Sequence, residues 1–496
     1  MAIKRYRATA DNTIANGYQE NLATRATGSN MGLADVSEVY SIYGRESSTS
    51  SELSRILTQF DVTSISSDRT AGTIPASGQV KFYLRLFNAE TSKTVPKDFK
   101  LVVEAISRAW NEGDGLDLEN YRDLGVSNWI SASDGVAWTT AGGDYHLLPT
   151  FEQTFETGLE DMDLDITSLV EEWITGAGGG GKANYGVGVR LTSSLEAATD
   201  SYYTKRFFAR GTQYFFKKPV IEARWNSSIQ DDRGDFYFSS SIAPGPDNLN
   251  TIYLYNYVRG RLTNIPAVGA TGSIMVSLYS GSSDNTAPSG SKLILYDGTT
   301  NITGGFVSTG IYSCSVAVTA SATLSISTLY DVWHSGSHVD EHATSTEYFT
   351  GSISAESFSA AASSNGNIRY VTNIKNLRNK YFSEEEARFN VYVRNKNWSP
   401  TIYTVASTEI ENTIIPSASF RVYRVLDGLN VIPHGTGSDL QTILSYDVSG
   451  NYFNLDMSLL EPGYEYGIKL AFYDSQRQSW IEQDQKFLFR VEDYEY

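Results

Sequence analysis

Short runs of β-branched and aromatic residues, in which apolar and polar positions alternate with a period of two, recur along the whole chain between Gly, Asn, Asp, Ser and Pro clusters. That period puts successive side chains on opposite faces of an extended strand, and many short runs of it mark β-sandwiches. The clearest predicted strands are residues 80–87, 101–106, 185–191, 274–279, 389–393 and 420–425. Helical periodicity is nearly absent. The best helix candidate is residues 167–173, where Ser168 and Glu171 stand at capping-box spacing, and a shorter one is residues 384–387.

The alternation also predicts packing. Ile56, Thr58 and Phe60 alternate with Arg55, Leu57 and Gln59, which suits a strand with one or both faces partly covered. Either Phe82, Leu84 and Leu86 or the opposite register packs against Leu101, Val103 and Ala105. Composition shifts after Trp225, where a polar stretch suited to a linker begins, and again at the Ser/Ala/Asn-rich residues 359–367. The expected fold is all-β, with three tandem β-sandwich domains at residues 1–226, 227–358 and 359–496. The last two are expected to be Ig-like or fibronectin-like. The glycines of residues 178–181 read as a loop tip, and the absence of a fixed-period repeat argues against a solenoid or propeller.

Length and composition narrow the class. A chain of 496 residues exceeds what one core supports, and 41% hydrophobic with 12% aromatic residues is too apolar for disorder. A net charge of −18 argues against nucleic acid as a partner, because phosphate binding needs clustered cations. The single Cys314 excludes an internal disulfide framework and reads as a small core residue. Met1 to Arg7 is basic but runs into polar residues, unlike a secretory signal, and no apolar stretch is long enough to span a bilayer. No membrane insertion is therefore expected.

Several strings in residues 1–226 carry a family resemblance. They are Ala8-Thr-Ala-Asp-Asn-Thr-Ile, Asn30-Met-Gly-Leu, Ser54-Arg-Ile-Leu-Thr-Gln-Phe-Asp, Gln79-Val-Lys-Phe-Tyr-Leu-Arg-Leu, Trp110-Asn-Glu-Gly-Asp-Gly with Asn128-Trp129, Leu164 through Trp173, and Lys217-Lys-Pro-Val-Ile-Glu-Ala-Arg-Trp225. In order and spacing they resemble the DNRLRE family. The resemblance implies a jelly-roll-like sandwich related to carbohydrate-binding modules. The sequence departs from that pattern at residues 207–215 and by an insertion at residues 45–52. The whole chain, Tyr-rich and built of such units, also resembles virion structural proteins of large tailed phages.

Candidate chemistry is sparse. Asp161, Asp163 and Asp165 with Glu172 have EF-hand spacing, but Ile166 stands where that loop needs Gly, and the apolar alternation favours a strand with an acidic face. Asp114, Asp117 and Glu119, beside Glu112, are the candidate oxygen ligands for a structural calcium; no other cofactor is expected. His334, His338 and His342 recur every four residues, a spacing that could serve zinc on a helix or a strand. Trp110, Trp129 and Trp138 with Tyr121 are the candidate sugar-stacking residues, although Trp110 also matches a core position of the family. Glu171 with Glu172 as an acid/base pair, Arg233-Gly234-Asp235 as an adhesion tripeptide, and the acidic tail Glu492-Asp-Tyr-Glu-Tyr496 are weaker motifs. No catalytic constellation is present, so no enzyme activity is expected. The expected role is a non-catalytic part of a tailed-phage virion in head decoration, neck, collar, tail or baseplate periphery. It would be multicopy, with other virion proteins as partners. The alternative is an extracellular carbohydrate-binding module or adhesin for polysaccharide.

Overall fold

In the first unit, period-two alternation becomes twelve strands and two helices of note. They are β1 (Ile3–Ala15), β2 (Val36–Tyr43), β3 (Ser51–Phe60), α1 (Val62–Thr70), β4 (Lys81–Leu86), β5 (Phe99–Ile106), β6 (Ser131–Ser133), β7 (Val136–Ala137), β8 (Tyr145–Phe155), β9 (Met162–Asp165), α2 (Thr167–Thr175), β10 (Val187–Leu191), β11 (Tyr202–Phe208) and β12 (Val220–Arg224). The computed structural model describes residues 2–19, 21, 23–43, 51–91, 95–116, 125–198, 202–239, 244–280, 292–318, 328–336, 346–356, 369–399, 402, 412–435, 437 and 439–494.

Strand order is β8-β5-β10-β3-β1-β12-β4-β9, with β11 on β2 and β2 on β3. β1 serves two layers. Its first half pairs with β12 up to Arg7, and from Ala8 its second half pairs with β3, with a register shift between Ala8 and Ala10. A bulge of this kind turns a strand from one sheet into the other. Between the layers, Phe82, Leu84 and Leu86 pack in one core with Leu101, Val103 and Ala105, which decides the register left open by the sequence.

The second unit comprises β13 (Phe236–Tyr237), β14 (Asn250–Tyr255), β15 (Tyr257–Val258), β16 (Arg261–Leu262), β17 (Ile274–Ser280), β18 (Ile302–Ser308), β19 (Ile311–Val316), β20 (Thr328–His334) and β21 (Glu347–Glu356). β18 also divides, pairing with β17 up to Gly304 and with β19 from Gly305. A Cβ on Gly304 would lie 2.8 Å from the Ser313 carbonyl oxygen, so the turn between sheets needs glycine there. Trp333, Tyr312 and Cys314 fill the core, and burial pushes the Cys314 thiol up to about 12.

The third unit holds β22 (Tyr370–Ile374), β23 (Lys380–Phe382), β24 (Glu386–Asn395), β25 (Ala418–Arg424), β26 (Asn430–Ile432), β27 (Ser445–Asp447), β28 (Gly450–Asp456), β29 (Glu465–Asp474), β30 (Ser479–Glu482) and β31 (Phe487–Glu492). A β22-β24-β28-β27 sheet faces a β23-β31-β29-β25-β26 sheet, and Phe420 stacks on Phe453 at 4.1 Å between them. The buried Tyr466 hydroxyl donates to the Glu461 carbonyl at 2.7 Å, a tyrosine corner of the kind found in Ig-like sandwiches. The chain is thus all-β, built of β-sandwiches.

Two local expectations need correction, and one helix is unexpected. The helix over residues 167–173 forms, but no side chain at Ser168 caps it; Asp165 Oδ1 instead accepts the Thr167 N–H at 3.0 Å. Residues 384–387 are no helix, because Ala387, Phe389, Val391 and Val393 continue one period-two face of β24 into the core. α1 has no apolar periodicity to announce it, and its sequence signal is Asp61, whose carboxylate caps the Thr63 N–H at 2.9 Å.

Candidate functional site

The three candidate sugar-stacking tryptophans are core residues. Trp110, Trp129 and Trp138 are 7%, 6% and 5% exposed, and they pack over Ile14, Leu57 and Ile106 on the outer face of the β1–β3–β5 layer. Two of the ring N–H groups are also engaged: Trp110 donates to the Tyr185 carbonyl and Trp138 to the Asn128 carbonyl, each at 2.8 Å. This corrects the reading of an open aromatic face. The described residues between β5 and β8 fold back as a cover, and the tryptophans are its apolar underside. Tyr121 lies outside the described residues.

Carboxylates that resembled ligands hold the scaffold instead. Glu112 accepts a guanidinium fork from Arg210 at 2.7 and 2.8 Å and the Asp11 N–H at 2.9 Å, which ties the cover to β1. Burial, with Glu112 adding to it, pushes the Asp11 carboxyl up to about 6 against its bonds from Arg210. Asp114 is exposed, while Asp117 and Glu119 lie outside the described residues. Asp161, Asp163 and Asp165 flank and punctuate the short strand β9. They accept, respectively, from the Asn88 N–H, from Arg224 and from Thr167. Glu171 holds Arg69 through two 2.7 Å bonds, and Glu172 pairs with Lys182.

His334 is buried at the end of β20, with Nε2 2.9 Å from Ser277 Oγ and Nδ1 accepting the Gly336 N–H. His338 and His342 are outside the described residues. No group of three or more His, Cys, Asp or Glu side chains converges as a metal site among the described residues. Arg233 of the Arg-Gly-Asp string is anchored on the fully buried Asp331, at 2.7 Å.

The feature that sequence reasoning missed is a charged seam between the first and third units. In β12 the side chains of Val220, Glu222 and Arg224 alternate with Ile221 and Ala223, which face the core. Yet all five are buried. On the outer face Glu222, 2% exposed, accepts from Arg5 on β1 at 2.7 Å, Arg85 on β4 at 3.2 Å and Arg224 at 2.8 Å. Burial opposes its ionisation, but those three guanidiniums outweigh burial and hold its carboxyl far below the usual carboxylate range. Arg224 reaches Asp163 at 3.0 Å and Asp439 of the third unit at 3.5 Å, and its guanidinium lies 4.1 Å from the Tyr83 ring centroid. The Tyr83 hydroxyl donates to Asp439 at 3.0 Å, and Arg5 donates to the Val431 carbonyl at 2.8 Å. Ile3 completes the junction by entering the third unit's core.

The polar stretch after Trp225 is likewise built in. Ile229 and Asp231 bracket Tyr446 through backbone bonds of 2.9 and 3.0 Å, and the Tyr446 hydroxyl donates to Asp232 at 2.6 Å. It is therefore a docked connection between units.

Beside the seam opens a crevice of about 340 Å³ lined by Lys4, Arg5, Arg7, Arg85, Lys217 and Lys218, with Asp161 and Asp456 as its acidic members. Arg7 lies over the Phe215 ring at 4.1 Å and Lys217 over Phe87 at 5.4 Å. Burial, then the neighbouring Arg5, lowers the basicity of Arg7, the sign expected of crowded cations. In a chain of net charge −18 this is a concentrated positive site.

No family model and no curated protein matches the chain. Among solved structures it is similar to fibronectin(III)-like modules of Clostridium thermocellum CbhA, at 12% identity over 54% of this chain and 96% of that one, with a TM-score of 0.14. It is also similar to a marsupial T cell receptor, at 8% identity over 45% and 65% of the two chains and a TM-score of 0.16. A chimeric titin Z1Z2 is similar at 12% identity over 52% and 94%, with a TM-score of 0.16. The fold assignment rests on the sheet pairings themselves.

Proposed function

We propose that the chain is a non-catalytic structural component of a tailed-phage particle, acting through contacts with other virion proteins. The observation that carries this reading is the seam, where Arg224 and Tyr83 of the first sandwich meet Asp439 of the third, Arg5 meets the Val431 carbonyl, and a basic crevice opens at the junction. A locked arrangement of sandwiches suits a part whose work is shape, and a crowded cationic crevice suits an acidic segment of a neighbouring subunit. The side chains that could have done chemistry are committed to scaffolding: Glu171 to Arg69, Asp163 to Arg224 and His334 to Ser277.

The test is gold-labelled antibody against the chain in electron micrographs of lysate from the source culture. Label on heads, necks or tails of particles is expected and would show which part of the virion to study. Label confined to cell envelopes or secreted matrix would overturn the proposal and put polysaccharide binding in its place.

A further inference from the structure

Lys205 on β11 is 1% exposed, an unusual position for a lysine, and it forms no ion pair with a carboxylate among the described residues. Its Nζ donates to Asn88 Oδ1 at 2.7 Å and to the carbonyls of Gly158 and Glu160 at 2.9 and 2.8 Å. The rings of Phe155 and Phe207 lie 4.9 and 5.0 Å from it. Asn88 is held from both sides: it bridges to Phe207 of β11, and its N–H donates to Asp161 Oδ1 at 2.7 Å. The Glu160 charge acts on Lys205; its Oε1 accepts the Thr157 N–H at 2.6 Å, and its Oε2 is buried with no hydrogen-bond partner.

We propose that Lys205 and Asn88 become joined by an intramolecular isopeptide bond. The Lys205 amine attacks the Asn88 side-chain carbonyl carbon. A new N–C bond forms, the carbon to Nδ2 bond breaks, and ammonia leaves. Glu160 takes a proton from the attacking nitrogen and returns it to the departing one, so that no oxidant or co-reactant is needed. A cavity of about 170 Å³ lined by Asn88, Ala89, Val95, Gly158, Leu159 and Lys205 gives the ammonia an exit.

Two physical features favour the step. The amine lies 2.7 Å from the oxygen of the amide it would attack, one held on β11 and the other on the segment after β4, so the bimolecular cost is already met by folding. Burial, against the charges of Glu160 and Asp161, lowers the Lys205 ammonium to about 8, which makes the free amine accessible near neutral pH. The product replaces a buried ammonium by a neutral amide and braces β11 to the segment after β4.

The test is peptide mass analysis of the full-length protein after trypsin. The expected product joins residues 86–93 to residues 191–206, with uncut Lys205, and is lighter than the two peptides together by one ammonia. It should be absent from Lys205→Met and Asn88→Ala, and the latter, at a half-buried position, serves if the former does not fold. Asn88→Asp should give the same product mass, now by loss of water. Glu160→Gln should lower the yield at least about tenfold. Separate, unmodified peptides from the wild-type chain would overturn the proposal, as would a cross-link that survives Asn88→Ala. A wild-type yield in Glu160→Gln would overturn the proton-carrying role of that residue.

Discussion

Replacing Glu222 by Gln keeps the volume of the side chain and removes only the charge that three guanidiniums share. The consequence differs among the three. Arg224 keeps Asp163 and Asp439, and Arg5 keeps the Val431 carbonyl, but Arg85 loses the one carboxylate it is paired with among the described residues. Removing one partner of a buried pair costs about 3–5 kcal/mol, and with two arginines partly rescued the lower end, about 3 kcal/mol, is expected. With a urea slope of about 3 kcal/mol per molar, the transition of the first unit should fall by about 1 M. An exposed pair supplies the control: Lys100 and Glu152 are 53% and 47% exposed, so Glu152→Gln should cost under about 0.5 kcal/mol.

The pH dependence of the Glu222→Gln loss gives a second handle. Because the Glu222 carboxyl is held low in the folded chain, its contribution is complete above the ordinary carboxylate range. It is lost as pH falls through that range toward the depressed folded value. The gap between wild type and Glu222→Gln should therefore be constant from neutral pH down to about 5 and narrow only below about 4. Equal midpoints for the wild type and Glu222→Gln at neutral pH, or a gap no larger than that of Glu152→Gln, would refute the seam as a buried charge cluster.

Asp439→Ala removes the acceptor for Tyr83 and the partner of Arg224 and Lys81, so the seam should loosen while each unit keeps its own core. A cost of about 1–3 kcal/mol is expected, with faster hydrogen exchange at the third-unit contacts, and an unchanged exchange map would count against the clamp. Trp129→Ala should lower the stability of the first unit by about 3–5 kcal/mol, read by denaturant titration; lost glycan retention with stability intact would restore the sugar-stacking reading. Burial, against the pull of Arg233, raises Asp231 to about 6, so folding favours its protonated form and wild-type stability should fall as pH rises from about 4 to about 6. Asp231→Asn should flatten part of that slope in melting temperatures across the window, leaving the share due to Asp11; an undiminished slope would reject the assignment. Lys217→Glu combined with Lys218→Glu should cut co-sedimentation with purified particles about tenfold, and full retention would remove the basic crevice as the contact.

Much of the fold was legible because burial in a sandwich is written in alternate residues. Phe82, Leu84 and Leu86 announce both a strand and its buried face, and β24 is evident from Phe389, Val391 and Val393. What alternation cannot give is the partner of the second face. The same Trp129 that reads as a loop aromatic is core, because the described residues between β5 and β8 return over the outer side of β3. The strand with an acidic face that the alternation favours at Asp163 is β9, but spacing along the chain records neither the Arg224 that meets Asp163 nor the Arg210 that meets Glu112. Lys205 carried a faint signal, a cation inside an aromatic strand, but its neighbour Asn88 is 117 residues away in sequence.

The seam also shows why a charged junction serves between tethered units. Apolar faces would bind the two sandwiches in many orientations, since dispersion and hydrophobic burial have little direction. Arg224 and Tyr83 meet the same Asp439, and Arg5 the Val431 carbonyl, in one arrangement only, while Glu222 holds Arg5 and Arg224 in place from within the first unit. Such pairs contribute little net affinity after desolvation, but a shared chain already supplies a high effective concentration. Orientation is then what the junction must provide, and buried charges provide it. This accounts for β12, whose outward face reads as ordinary solvated surface in Val-Ile-Glu-Ala-Arg and is buried along its whole length. An Arg–Glu–Arg set spread over three neighbouring strands is the sequence pattern by which such junctions can be sought in other strings of sandwiches.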